Sequence, residues 1–150
     1  GDVVFKANIV DDYVNDVVKT SATWAGSYDY TVTGAAVSVD YCDIDLDVLL
    51  FDGSFGFVGY LGATGSCTET GEISGLADGT YYIAIDVYDN PIAQFGTNQP
   101  LPITFTYSQE HFDTSGSFVI GGFTTDSSPG TFLVAQVDVV NGYMYTIAPL

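Results

Sequence analysis

The sequence predicts an all-β fold, a single antiparallel β-sandwich of jelly-roll type over residues 1–150. Three observations carry this. Val, Ile, Thr, Tyr and Phe recur in short runs separated by Gly, Asp, Asn and Ser at spacings of about ten residues, which is the grammar of a sandwich or barrel. Apolar residues at helical spacing are hard to find. A chain of 150 residues that is 47% hydrophobic is long enough to bury one core and short for two.

In chain order, strands are expected at residues 3–10, 13–18, 28–33, 36–41, 44–51, 69–74, 81–88, 103–107, 118–123, 132–140 and 143–147. Trp24, the only Trp, falls in an expected loop from Ser21 to Ser27, where it reads as a core residue at the rim in preference to an exposed platform. The Gly-rich stretch from Gly53 to Gly65 reads as a connection. Two sharp turns are expected, at Asp78-Gly79 and at Asn141-Gly142. The second carries the type I′ signal, since both central residues must take positive φ. With a two-residue loop, Val140 would face Tyr143 and Asp138 would face Tyr145. Ala135, Val137 and Val139 would then share the core face with Met144 and Thr146. Residues 90–102, rich in Pro, Gly, Gln and Asn, are too long for a hairpin and read as a crossover or a binding loop, and Asp126 to Gly130 reads as a turn.

Charge narrows the partners. Nineteen Asp and Glu stand against Lys6 and Lys19, with no Arg and one His, for a net charge of −17. A phosphate backbone would be repelled and no guanidinium is there to grip it, so nucleic acids, nucleotides and anionic membranes are excluded as partners. Apolar runs of only a few residues exclude a membrane-spanning helix. Gly1 in place of Met is what a processed or trimmed chain leaves, and a secreted, periplasmic or cell-surface location is expected. Cys42 and Cys67 are then expected to form a disulfide, the alternative being two buried thiols; with one His they cannot make an ordinary zinc site.

The most informative stretch is Cys42-Asp43-Ile44-Asp45-Leu46-Asp47-Val48-Leu49-Leu50-Phe51-Asp52. As a strand it points Ile44, Leu46, Val48 and Leu50 to one side and Asp43, Asp45 and Asp47 to the other, with carboxylates about 7 Å apart. Such a row repels itself unless water or a cation intervenes. Calcium, which takes six to eight oxygen ligands, is the ion it suits. Asp43, Asp45, Asp47 and Asp40 are the candidate ligands, with Asp11, Asp12 and Asp16 as further donors if the first strands lie alongside; the competing reading is a solvated acidic face.

A resemblance follows from this strand together with Glu72-Ile73-Ser74-Gly75-Leu76-Ala77-Asp78-Gly79-Thr80-Tyr81-Tyr82-Ile83-Ala84-Ile85 and Ile103-Thr104-Phe105-Thr106-Tyr107. An Asp-x-Asp-Leu strand, a Gly-Thr-Tyr-Tyr strand and a closing Tyr-bearing strand, in that order, resemble the bacterial pre-peptidase C-terminal domain. The similarity spans about residues 28–107, leaving 108–150 as additional strands of the same domain. It implies a jelly-roll sandwich that serves secreted proteins as an accessory domain without catalysis of its own, calcium-bound in collagen-binding relatives. By position, Asp43 and Asp45 match the acidic strand, and Gly79 and Tyr81 match structural points of the later one.

Two other functions compete. A carbohydrate-binding module could use Tyr82, Asp86 and Tyr88 on one strand face, or Tyr143 and Tyr145 with Asp138 and Gln136 on the last hairpin, since flat rings beside polar groups stack on sugars. A hydrolase would need a nucleophile signature, and Gly-x-Ser-x-Gly does not occur; Glu110-His111 is the nearest approach to acid–base chemistry. The expectation is a non-catalytic extracellular or cell-surface interaction domain, possible partners being an extracellular protein or a polysaccharide.

Overall fold

The computed structural model describes residues 16–150; the strand expected at 3–10, the first half of that at 13–18, and Asp11 and Asp12 lie outside the described residues. Eleven strands follow in the order β1 Val18–Thr23, β2 Ser27–Val32, β3 Ala35–Asp40, β4 Asp45–Asp52, β5 Phe57–Gly62, β6 Thr68–Ile73, β7 Gly79–Asp89, β8 Ile103–Gln109, β9 Ser115–Ile120, β10 Gly130–Val140 and β11 Met144–Pro149. Helical structure among the described residues is limited to two 3₁₀ turns, Tyr41–Asp43 and Pro91–Phe95, and no helix there is long and apolar enough to cross a membrane.

The strands make an antiparallel sandwich. One sheet runs β6-β1-β8-β9, the other β11-β10-β7-β4-β5, and β2 with β3 forms a separate hairpin. Period-two alternation places Leu46, Val48 and Leu50 of β4, Ile83, Ile85 and Val87 of β7, and Val137 and Val139 of β10 in one core with Val18, Ile103 and Phe105 of the facing sheet. Trp24, just beyond β1, is 1% exposed; its indole N–H donates to the Ile44 carbonyl at 3.0 Å, so it is a core residue and no platform.

Three expectations are corrected. Residues 21–23 are strand, because Val18, Thr20 and Ala22 alternate inward even though two of them are small. The Gly-rich stretch contains β5, an edge strand held by pairing with β4 in spite of Gly59 and Gly62. Third, the final hairpin closes on three residues. Asn141 and Gly142 take the expected positive φ, 55° and 76°, but Tyr143 joins the loop and the register becomes Val140 to Met144, Val139 to Tyr145 and Asp138 to Thr146. One added residue flips the parity of β11. Tyr145 and Ile147 therefore point into the core, while Met144 and Thr146 face outward.

The long segment after β7 is the crossover to the other sheet, and it is stitched to the return crossover after β9. Thr125, fully buried, bonds to the Thr97 hydroxyl at 2.6 Å and accepts from the Gln99 N–H at 2.9 Å; Asn90 donates to the carbonyls of Thr125 and Ser127. Thr125→Val keeps the shape and removes the two bonds made by the hydroxyl, to Thr97 and Gln99. It is expected to lower stability by about 2 kcal/mol, read as a lower denaturant midpoint at an unchanged slope.

Candidate functional site

Two of the expected sites meet on one surface, the outer face of the five-stranded sheet. Because Ile44, Leu46, Val48 and Leu50 are pulled into the core, Asp45 and Asp47 must point away from it. β4 lies between β5 and β7, and the β4–β7 register sets Asp47 opposite Asp86 and Phe51 opposite Tyr82. Acidic and aromatic candidates thus share adjacent strands.

Asp43 and Asp40 are elsewhere. Tyr41–Asp43 winds into a 3₁₀ turn before the strand begins, leaving Asp43 exposed on the turn, and the Asp40 carboxylate caps that turn by accepting the Cys42 N–H at 2.9 Å. Their place beside Asp45 and Asp47 is taken by Glu69 of β6, a residue the sequence reading did not single out. Carboxylate oxygens of Asp45, Asp47 and Glu69 lie within 4.8 Å of one another. Glu69 is 1% exposed, and one of its oxygens accepts from the Thr64 backbone N–H at 3.0 Å and the Thr64 hydroxyl at 2.8 Å. Gly62 makes room for it, since a Cβ there would stand 2.5 Å from the Glu69 Cβ.

The disulfide holds this group together. Cys42 and Cys67 are bonded with their Cα atoms 4.8 Å apart, three residues before Asp45 and two before Glu69. The Trp24 N–H donates to the Cys67 carbonyl at 3.1 Å, so the same junction is fastened to the end of β1.

Packing three carboxylates so closely has an electrostatic consequence. Burial, followed by the charges of Asp45, Glu69 and Asp86, pushes the Asp47 carboxyl up to about 6. Burial also raises Asp45, with Asp89 and Asp86 adding to it. One Asp45 oxygen is buried and accepts no hydrogen bond. Hard oxygen donors at this separation, one without a proton donor, fit a divalent cation of the calcium type.

The remaining candidates are dispersed. Tyr88 is exposed at the far end of β7, and Tyr82 is half-buried with its ring 5.4 Å from Phe55. Asp86 accepts the Thr131 hydroxyl at 2.9 Å. On the last hairpin Tyr145 is 4% exposed in the core and cannot join Asp138 and Gln136 on an outer face; Tyr143 stacks on Phe112 at 5.4 Å. Tyr81 donates its hydroxyl to the Ala77 carbonyl at 2.7 Å, and Asp78 accepts the N–H groups of Asn141 and Gly142, tying the two sharp turns together.

Asp16 is 1% exposed and sits with Glu110 and His111, away from the acidic strand. Its carboxylate meets the His111 imidazole at 2.5 Å and accepts the His111 N–H at 3.1 Å. Burial alone would raise this carboxyl, but the bonds from His111, Val17 and Gln109 outweigh it and hold it below the ordinary value.

Across the facing sheet, a shallow depression of about 520 Å³ is lined largely by hydroxyls, among them Thr70, Thr106 and Ser108, and is remote in kind from either candidate. No protein-family model, curated protein or solved structure matches the chain.

Proposed function

We propose that this chain is a non-catalytic accessory or interaction domain that works outside the cytoplasm and is stabilised by calcium bound to Asp45, Asp47 and Glu69. The carboxylate group carries the reading. Three acidic side chains drawn within 4.8 Å, with a raised Asp47 and an orphaned Asp45 oxygen, oppose folding until a cation or a proton compensates them. The disulfide suits an oxidising compartment. The resemblance of the Asp-x-Asp-Leu and Gly-Thr-Tyr-Tyr strands to pre-peptidase C-terminal domains points the same way. A second reading, a carbohydrate-binding module, is favoured by Tyr82 lying on the same face as Asp86.

Millimolar calcium should raise the melting temperature by about 5 °C over chelator, if the site binds in the range of extracellular modules. Asp47→Asn should abolish that rise while itself melting higher than the parent in chelator. Identical melting with calcium and with chelator would remove the proposal. The pH dependence has a definite sign. A carboxyl raised in the folded state favours folding when protonated, so in chelator Asp47 subtracts stability as the pH climbs from about 4 to about 6, and nothing further above. The advantage of Asp47→Asn over the parent should grow across that window and then level off.

A further inference from the structure

The aromatic half of the same face is larger than the sequence reading anticipated. Phe55, Phe57 and Tyr60 are 61%, 54% and 61% exposed, yet they are not scattered. Phe57 packs edge-on against Tyr60 at 5.0 Å and against Phe51 at 6.1 Å, and Phe55 stacks on Tyr82 at 5.4 Å. The inner sides of these strands already supply the core, so the fold does not require rings on the outside, and a contiguous exposed aromatic patch is the usual mark of a contact surface.

Phe55 adds an independent signal. It sits at φ 64°, a left-handed conformation that disfavours bulky residues, in a turn where Gly or Asn would be at ease. The turn is held from below: one Asp52 carboxylate oxygen accepts the N–H groups of Ser54 at 2.9 Å and Gly56 at 2.8 Å. A well-braced turn thus presents a strained, solvent-facing ring.

Charge identifies the partner. Along β4 and β7 the aromatic pair Phe51–Tyr82 and the acidic pair Asp47–Asp86 flank Leu49–Ala84 on either side, each about 7 Å away. A partner residue seated over Leu49 and Ala84 reaches carboxylates in one direction and ring faces in the other, the environment that Lys and Arg satisfy through ion pairing and cation–π contact. The chain as a whole carries −17, and Lys19 is the only Lys or Arg among the described residues. We propose that the outer face of β4, β5 and β7 docks an extended protein segment bearing Lys or Arg beside apolar residues, with Phe55, Phe57 and Tyr60 gripping the apolar part and Asp86 the cation. The proposal rests on the reading of the chain as an interaction domain and adds the face and the partner's chemistry. It does not require the calcium ligands, because Asp86 lies outside the close group of Asp45, Asp47 and Glu69.

The test uses the full disulfide-bonded chain and fluorescent synthetic peptides in which Lys or Arg alternates with Leu or Trp. Counterparts with Glu in place of the basic residues and a panel of neutral oligosaccharides complete the set. Anisotropy should show binding of basic peptides alone, in calcium and in chelator, weakening as sodium chloride is raised. Phe57→Ser with Tyr60→Ser should weaken it about tenfold or more, and Asp86→Asn should weaken it and flatten the salt dependence. Phe57 and Tyr60 are solvent-facing and lie outside the carboxylate group, so the double variant should keep the parent's melting response to calcium, which separates failure of docking from failure of the calcium reading. No bound basic peptide, binding indifferent to these substitutions, or capture of an oligosaccharide instead would each overturn the proposal.

Discussion

Ending the chain after Ser108 is expected to leave no cooperatively folded domain. β10 lies between β7 and β11 in the five-stranded sheet and pairs with β7 from Gly130 to Val139. The cut removes Ile120, Phe123, Ala135, Val137, Val139, Tyr145 and Ile147 from the core and uncovers one whole edge of β7. Each large apolar residue lost from a core is worth about 2 to 5 kcal/mol, against a total stability of about 5 to 15. The truncated chain should therefore be insoluble, or should bind a hydrophobic dye and melt without a transition. Cooperative melting near the full-length temperature would show that residues 109–150 are an appendage, contrary to their place in both sheets.

Cys42→Ser with Cys67→Ser should be the next most damaging change. The bond closes a loop between residues 25 apart in sequence, for which the chain-entropy model gives about 3 kcal/mol, or about 10 °C of melting temperature in a domain of this size. The native protein should weigh two hydrogens less than its reduced form and resist alkylation until reductant is added. Since the bond sits beside both Asp45 and Glu69, its loss should also shrink the calcium response, more than an equally destabilising change such as a cavity at Ile147 on the far edge of the sheet. An unchanged calcium response would separate the disulfide from the site.

How far the sequence was legible depended on how many solutions each pattern allowed. The alternation Ile44, Leu46, Val48, Leu50 has one solution when one face is buried, and so the acidic strand and its outward carboxylates could be read directly. Asn141-Gly142 specifies the sign of φ at two positions, yet it leaves open whether a third residue enters the loop; Tyr143 did, and every side chain of β11 changed face. Glu69 had a signal of its own. In Thr68-Glu69-Thr70-Gly71-Glu72-Ile73 the parity that holds Ile73 also holds Glu69, which marks a carboxylate aimed inward. What no local pattern could supply was its nearness to Asp47, because that depends on how the edge of one sheet meets the other. β5 was hidden for a different reason: Gly59 and Gly62 lower strand propensity, and pairing with β4 overrides it.

The stitching of the two crossovers bears on how the chain can be made. β1 must find β8, Val18 meeting Gln109, and β7 must wait for β10, so the pairings that join the local hairpins into sheets are distant in sequence. Contacts this distant in sequence fold slowly, on a scale of about milliseconds to seconds. A chain emerging vectorially, from a ribosome or through a translocation pore, exposes β4, β7 and their apolar inner faces before the closing strands exist. The heavy negative charge then has a second use, as self-repulsion that keeps half-emerged copies apart until residues 130–140 arrive.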